Sequence, residues 1–185
     1  LKCLGCVKWF NTKSGYGFVS VVDTELKGSD IFTHHSSINV KQEQYKYLVQ
    51  RQLKPEARKD IIDFFYSVDL TPSSMIDISD GLSSEITHIC SSSKVGCDIY
   101  EDKIPVSEEL MSSCEEFNLN STTVALSGGE DYELLFTINQ KDFDKIKNNS
   151  DFSVIGHINS EKSGVNLITK AQQKIPITSR GWKSF

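Results

Sequence analysis

The spacing of apolar residues changes along this chain, and the change limits the possible folds more than any other feature of the sequence. Before about residue 50, aromatic and aliphatic residues alternate, as in strands whose successive side chains point to opposite faces of a sheet. From Pro55 the apolar residues recur about every 3.5 positions, on a face formed by Ala57, Ile61, Phe65 and Val68. We therefore predict a helix that begins at Pro55 and two structural regions, residues 1–50 and 51–185.

Three short strands are predicted in the first region, in the segments V-K-W-F-N, K-S-G-Y-G-F-V and D-I-F-T-H-H-S. Strand alternation places four rings and one histidine on a single face: Trp9, Tyr16, Phe18, Phe32 and His34. Val7, Val19 and Ile31 fall on the other face. Aromatic rings beside lysines suit unstacked nucleic-acid bases, because stacking a base on a ring contributes roughly 1–3 kcal/mol. The alternative, that the rings are ordinary core residues, is weaker, because the aliphatic face already supplies a core.

These three segments, in their order and spacing, closely resemble the cold-shock domain over about residues 3–39. The resemblance implies contacts to the bases and phosphates of single-stranded RNA or DNA, through Lys8, Trp9, Tyr16, Phe18, Phe32 and His34. It also implies a five-stranded barrel of the oligonucleotide-binding type, whereas this region offers only three strands. We therefore expect a partial antiparallel β-barrel, whose open edge favours pairing with a second copy of the chain.

Two acidic motifs follow in the second region. The first reads as an apolar strand and then a turn that carries Asp77, Ser79 and Asp80 before a helix. Two carboxylates at such a turn suit Mg²⁺, and the alternative is that Ser79 or Asp80 only caps the helix. The second motif, A-L-S-G-G-E-D-Y-E-L-L-F, places three acids on a glycine-containing turn before a buried strand expected over residues 132–138. Taken alone, that turn is also typical of a solvated loop.

Together with V-I-G-H-I and the terminal G-W-K-S-F, these motifs closely resemble the carboxy-terminal domain of thiamine-monophosphate kinase, over about residues 51–185. The resemblance implies Mg²⁺-dependent transfer of a phosphoryl group from ATP to thiamine monophosphate, giving thiamine diphosphate, at a site between two domains. It assigns no catalytic residue. It implies five contacts: Asp77 and Asp80 to Mg²⁺, Ser79 to ATP, and Glu130 and Trp182 to thiamine monophosphate.

The first domain of that family supplies further aspartates and much of the ATP site, and none of its motifs occurs in residues 1–50. Because phosphoryl transfer depends on positioning and on charge neutralisation by metals, we expect the chain alone to be inactive. The abrupt join near residues 40–54 predicts a recombined chain, and a natural fusion and an assembly artefact stay open as alternatives. The expected fold class is α+β, with a three-stranded partial barrel followed by a mixed sheet packed with helices.

The charge is distributed unevenly along the chain. The net charge is −5, and residues 1–50 contain six basic and four acidic residues, so the acidic surplus lies in the remainder. We therefore expect weak, salt-sensitive binding to nucleic acid. No apolar run reaches the length of about 20 residues that a membrane span needs, and no signal sequence is recognised. With five scattered cysteines, expected to be reduced, these features predict a cytoplasmic protein that does not contact a membrane.

Overall fold

The structure, a computed structural model, describes residues 5–11, 16–21, 25, 27–34 and 43–178. The chain divides into two compact units, Leu1–Lys54 and Pro55–Phe185.

In its described residues, the first unit contains an antiparallel sheet of three strands in the order β1-β2-β3 and one helix. The elements are β1 Gly5–Asn11, β2 Tyr16–Val21, β3 Asp30–His34 and α1 Glu43–Leu53. The register is irregular between Val7 and Trp9, so Lys8 lies at a bulge. The connection from β2 to β3 closes through a hydrogen bond that the Gly28 amide donates to the Val21 carbonyl oxygen, at 2.9 Å. The sheet does not close on itself within the described ranges, which confirms the predicted partial barrel.

The second unit alternates helices and strands. Its helices are α2 Lys59–Ser67, α3 Leu82–Ser93, α4 Glu108–Glu116 and α5 Ser121–Ser127. Its strands are β4 Ser74–Asp77, β5 Val95–Tyr100, β6 Leu134–Thr137, β7 Gly156–Ser160, β8 Val165–Ile168 and β9 Lys174–Pro176. Short 3₁₀ turns cover Glu101–Lys103, Gln140–Lys145 and Glu161–Ser163. None of the helices in the described part of the chain is long and apolar enough to cross a bilayer.

The strands of the second unit form two sheets. β4 and β6 form an antiparallel pair, and a four-stranded sheet has the order β7-β5-β8-β9. In the larger sheet β5 and β8 are parallel and the other pairs are antiparallel. The expected α+β class with a mixed sheet is therefore confirmed. The strand predicted over residues 132–138 is shorter, because Tyr132 has a positive φ of 53° that takes it out of the strand conformation.

The helix predicted to begin at Pro55 begins instead at Lys59, and Arg58 is its N-cap residue. Arg58 has φ −76° and ψ 60°, outside the helical region, and its guanidinium group binds the carboxylates of Asp60 and Glu133. The predicted apolar face is present in part: Ile61 and Phe65 are buried, whereas Ala57 is exposed and precedes the helix, and Val68 is half-buried at its C-cap.

Two apolar cores hold this unit together. One is built by α3, β5 and β8, from Leu82, Ile86, Cys90, Cys97, Ile99 and Leu167. The other surrounds α2 and contains Ile61, Phe65, Leu70 and Ile146, with Phe136 of β6 packed against it. Because α3 is anchored in the first core and β6 in the second, the ends of β4, α3 and β6 are fixed where the acidic motifs lie.

Candidate functional site

The two acidic motifs lie against each other at the ends of β4 and β6. Asp77, the last residue of β4, pairs with Leu134, the first residue of β6. Beyond this pair, the Ile78 amide donates to the Glu133 carbonyl oxygen at 2.9 Å, and the Tyr132 amide donates to the Ile78 carbonyl oxygen at 2.8 Å. The ladder therefore continues past the strands and brings the two turns together.

Two glycines allow this close approach. A Cβ atom on Gly129 would lie 2.5 Å from the Ser79 carbonyl oxygen, a separation that no side chain tolerates. The Glu130 amide donates to that same Ser79 oxygen at 2.7 Å. Gly81, with φ 119°, faces the carbonyl oxygens of Gly128 and Leu126, each 3.1 Å from where its Cβ would be. The second motif thus packs on the first through backbone atoms.

Tyr132 links the acids of both motifs. Its hydroxyl donates to the Glu130 Oε2 at 3.1 Å. Burial raises the pKa of Tyr132, and the nearby charges of Glu130, Asp77 and Asp80 raise it further. Sequence analysis placed Tyr132 in a buried strand and missed this role. Glu130 and Tyr132 both have positive φ, 67° and 53°, an uncommon conformation for residues other than glycine.

Hydrogen bonds to a buried side chain of α3 hold the turn between β4 and α3. Gly81 is the N-cap residue of α3 and no side chain caps the helix, so the alternative in which Ser79 or Asp80 caps it is wrong. Instead, the Glu85 Oε1 accepts hydrogen bonds from the Asp80 amide at 3.2 Å and from the Ser79 hydroxyl at 3.4 Å. Sequence analysis missed Glu85, although its position places it on the buried face of α3 with Leu82 and Ile86.

Of the three acids in the second motif, Glu133 is tied to Arg58. The Arg58 Nη1 donates to the Glu133 Oε2, and the same guanidinium group donates to Asp60 at 2.8 Å. Hydrogen bonds to Asp60 and to Glu133 raise the pKa of Arg58, although partial burial opposes them. This ion-pair network attaches the start of α2 to the end of the motif that contains Glu130.

Asp77 and Asp80 fit a divalent cation of the kind bound with phosphates. Both are exposed, and the charges of both raise the pKa of Tyr132. Within the described ranges, no group of three or more His, Cys, Asp or Glu residues could hold a metal ion. Two carboxylates are sufficient for Mg²⁺ when substrate phosphates and water complete its octahedral shell. Trp182 lies outside the described residues.

The predicted aromatic face of the first unit is present. Four rings lie in contact, with centroid separations of 5.7 Å for Trp9 and Tyr16, 5.5 Å for Trp9 and Phe18, 5.4 Å for Tyr16 and Phe32, and 5.7 Å for Phe18 and Phe32. Trp9 and Phe32 are 44% and 57% exposed. His34 pairs with Tyr16 in the register between β3 and β2. The rings therefore form a continuous surface that solvent can reach.

Two features of the first sheet differ from the prediction: the Lys8 side chain pairs with an acid, and the aliphatic face of the sheet is exposed. The Lys8 Nζ lies 2.6 Å from the Asp30 Oδ2, and hydrogen bonds from Lys8 and Ser20 lower the pKa of Asp30. On the aliphatic face, Val7 and Ile31 are 69% and 43% exposed. That face is therefore not a closed core, because the described strands supply a single sheet layer.

Comparison with known proteins identifies a family for the first region. Residues 3–58 match the 'Cold-shock' DNA-binding domain. This range includes the three strands and the whole of α1.

The rest of the chain is similar to thiamine-monophosphate kinases. It is 36% identical over 138 residues to the enzyme of Aquifex aeolicus (strain VF5), covering 75% of this chain and 41% of that protein. It is 37% identical over 145 residues to the enzyme of Buchnera aphidicola subsp. Schizaphis graminum, covering 75% of this chain and 43% of that protein. The chain thus spans less than half the length of these curated relatives.

Solved structures of thiamine-monophosphate kinases are also similar to this chain. The structure described as "AaThiL complexed with AMPPCP and TMP" has a TM-score of 0.64 and 31% identity, covering 81% of this chain and 45% of that one. Thiamine-monophosphate kinase from Stenotrophomonas maltophilia K279a has a TM-score of 0.61 and 26% identity, covering 71% of this chain and 41% of that one. The chain therefore joins a cold-shock-like region to a domain like that of thiamine-monophosphate kinases.

Proposed function

We propose that the second unit supplies part of a kinase site that transfers a phosphoryl group from ATP to thiamine monophosphate. The observation that carries this proposal is the backbone pairing of the two motifs, in which the Ser79 carbonyl oxygen accepts from the Glu130 amide at 2.7 Å. This pairing places the strand-to-helix turn that carries Asp77 and Asp80 beside the turn that carries Glu130. The carboxylate of Glu130 is bound by the Tyr132 hydroxyl. The similarity to a relative described in complex with AMPPCP and TMP supports the same assignment.

Each residue has a proposed role. Asp77 and Asp80 hold Mg²⁺, which when bound supplies positive charge against the phosphates. Ser79 contacts ATP, and Glu130, oriented by the Tyr132 hydroxyl, contacts thiamine monophosphate. Trp182 is proposed as a further substrate contact by resemblance alone. The chain's own part in the reaction is to position these groups, since phosphoryl transfer needs little covalent chemistry from the protein.

Nucleotide binding tests the proposal directly. Titration of the chain with AMPPCP and Mg²⁺ in a calorimeter should give metal-dependent binding that Asp80→Asn weakens at least about tenfold, because one charged ligand is lost. Asp144→Asn is the matched control, since Asp144 is a surface acid with an 80% exposed side chain that pairs with Lys147. Equal binding by all three proteins would contradict the assignment of Asp80.

We further propose that this chain alone does not complete the reaction. Within the described residues no group of three or more His, Cys, Asp or Glu could hold a metal ion, whereas the transferred phosphoryl group needs its charge neutralised on several sides. The purified chain incubated with ATP, Mg²⁺ and thiamine monophosphate should form no thiamine diphosphate, as followed by chromatography. Measurable product would show that this part of the proposal is wrong while leaving the site assignment intact.

A second function, binding of single-stranded RNA or DNA, is favoured by the exposed aromatic surface of the first unit. Phe18 lies at the centre of this surface, with its ring within 5.7 Å of both Trp9 and Phe32. Tryptophan emission should be quenched by a single-stranded oligonucleotide, and Phe18→Ala should weaken the binding by about tenfold or more, as expected for a lost base stack. Ile31→Ala, on the opposite face and 43% exposed, should bind as the wild type does. Equal loss in both variants would count against stacking on this face.

The first sheet also has open strand edges, which bear on the oligomeric state. β1 and β3 are the outer strands of the three-stranded sheet, and we propose that an open strand edge pairs two copies of the chain. A single monomeric species in sedimentation across concentrations would contradict this.

We also propose a cytoplasmic location, because Cys90, Cys97 and Cys114 are free thiols and a reducing compartment maintains such thiols.

A further inference from the structure

Glu85 is the most deeply buried acid in the described part of the chain. It is 2% exposed and belongs to the first turn of α3, on the face that includes Leu82 and Ile86 of the apolar core. Burying a carboxylate costs free energy unless hydrogen bonds compensate. An apolar residue would fill this position of the helix without that cost, so the acid needs a different explanation from packing.

The contacts of Glu85 point to the turn that contains the proposed metal ligands. The Glu85 Oε1 accepts from the Asp80 amide at 3.2 Å and from the Ser79 hydroxyl at 3.4 Å. Within the described residues the second oxygen, Oε2, has no hydrogen-bond partner. All the hydrogen bonds found for this side chain are therefore directed to Ser79 and Asp80.

The cap of α3 explains why the turn needs such support. Its N-cap residue is Gly81, which has no side chain to bind the free amides of the first turn. Gly81 also has φ 119°, a conformation in which glycine gives the backbone little restraint. Without Glu85, the segment from Ser79 to Gly81 would be held from the α3 side only by the backbone bonds to the Gly81 carbonyl oxygen.

We propose that Glu85 is a positioning residue for the metal and nucleotide turn. From inside α3 it fixes the Asp80 backbone and the Ser79 hydroxyl, so that the Asp80 carboxylate is presented to the cation in one arrangement. The inference deepens the proposed kinase function and rests on it for the identity of the ligands.

Two substitutions separate positioning from packing. Glu85→Leu keeps an apolar side chain of similar volume in the core and removes both acceptor oxygens. Glu85→Gln keeps the shape and one acceptor but removes the charge. If Glu85 only fills space, Glu85→Leu should leave the turn unchanged, because replacing a buried acid by a packed apolar residue is often neutral or stabilising.

The first measurement needs no ligand. Amide hydrogen exchange at Asp80, measured by NMR on the ¹⁵N-labelled full chain, should accelerate about tenfold in Glu85→Leu, as expected when a hydrogen bond to a charged group is lost. The amides of Ile86 and Ile89 further along α3 should exchange as in the wild type. Unchanged exchange at Asp80 would overturn the inference. If Glu85→Leu does not fold, Glu85→Ala, which also removes both acceptor oxygens, decides: a severalfold acceleration at Asp80 with unchanged exchange at Ile89 supports positioning, and no acceleration overturns it.

The second measurement uses Mn²⁺ as the probe, with free ion counted by electron paramagnetic resonance. We expect affinity for Mn²⁺ to fall about tenfold in Glu85→Leu and less in Glu85→Gln. Accelerated exchange at Asp80 in Glu85→Leu, together with a wild-type chain that binds no Mn²⁺, would support the positioning role and contradict the proposed metal site. Equal Mn²⁺ affinity in wild type and Glu85→Leu would overturn the inference and leave the metal site intact.

Discussion

At the scale of single residues, backbone contacts decide which atoms of the two motifs meet. Gly129 is the clearest case, because its missing side chain lets the Ser79 carbonyl oxygen come within 2.5 Å of where a Cβ atom would stand. The sequence predicted an acidic turn with glycines, and only the structure shows what the second glycine faces. A prediction follows for this residue.

Gly129→Ala should separate the two motifs. The added methyl group meets backbone atoms that cannot rotate away, so we expect a loss of about 1–3 kcal/mol in the free energy of unfolding, typical of overpacking, and loss of AMPPCP binding. Gly164→Ala is the control, since Gly164 has open space around it but φ 70° and ψ −172°, a conformation almost confined to glycine, and should cost a comparable amount of about 1–3 kcal/mol in backbone strain without affecting binding. Urea denaturation and calorimetry measure both. Normal nucleotide binding by Gly129→Ala would show that the motifs need not touch.

A second prediction at this scale concerns pH and Cys97. Burial raises the pKa of the Cys97 thiol to about 12, with Cys90 adding to the effect, against 9.0 for an ordinary thiol. Between these values the unfolded chain binds fewer protons than the folded one, so stability falls as the pH rises from 9 towards 12. We expect the free energy of unfolding to decrease more steeply over this range in the wild type than in Cys97→Ala. Parallel pH profiles would contradict the assignment.

At the scale of elements, the helices are held by their buried faces. α2 is amphipathic as the sequence predicted, but it begins four residues later, because the Arg58 side chain binds Asp60 and Glu133 and Arg58 itself is not helical. Glu133 is remote in sequence, so the pattern around Pro55 could not reveal it. Phe65 of this helix packs on Phe136 and Phe152, with ring centroids 5.0 Å and 5.8 Å away.

Neighbouring residues of α2 give a matched pair of substitutions. Phe65→Ala should lower the free energy of unfolding by about 3–5 kcal/mol, because Phe65 is 4% exposed and its removal leaves a cavity between two rings. Tyr66→Ala should change it by less than about 0.5 kcal/mol, because Tyr66 is 81% exposed. The two substitutions change helix propensity by similar amounts. The difference between their losses in the free energy of unfolding, measured by chemical denaturation, therefore gives the packing contribution of Phe65. Similar losses in the two variants would indicate that the second core is not formed around Phe65.

At the scale of the whole molecule, the two units differ in net charge and in the protein families that they resemble. The first is cold-shock-like and slightly basic, and the second is kinase-like and acidic, with a net charge of −5 for the chain as a whole. An acidic chain repels nucleic acid at long range, and this repulsion is screened by salt. For the proposed binding of oligonucleotide, we therefore expect base stacking to contribute more than phosphate contacts.

This balance predicts a salt dependence set by only a few phosphate contacts. A few phosphate contacts to a single strand give a slope of about −0.7 per contact in a plot of log affinity against log salt, so we expect a slope between about −1 and −2. Lys8→Ala should reduce the slope, since Lys8 is the basic residue next to Trp9 on β1. Fluorescence titration at several salt concentrations provides the measurement. A slope steeper than about −4 would show that backbone charge, not stacking, dominates binding.

The sequence alone determined the change in apolar spacing along the chain, the alternation that puts Trp9, Tyr16 and Phe18 on one face, and the two acidic motifs, because these depend on local spacing. The tertiary structure decided what those motifs contact. The link from Glu85 to Ser79 and Asp80, the place of Tyr132 among the acids and the late start of α2 arise from residues that meet only when strands pair and helices pack. Such contacts depend on register and burial across the fold, which local periodicity does not encode.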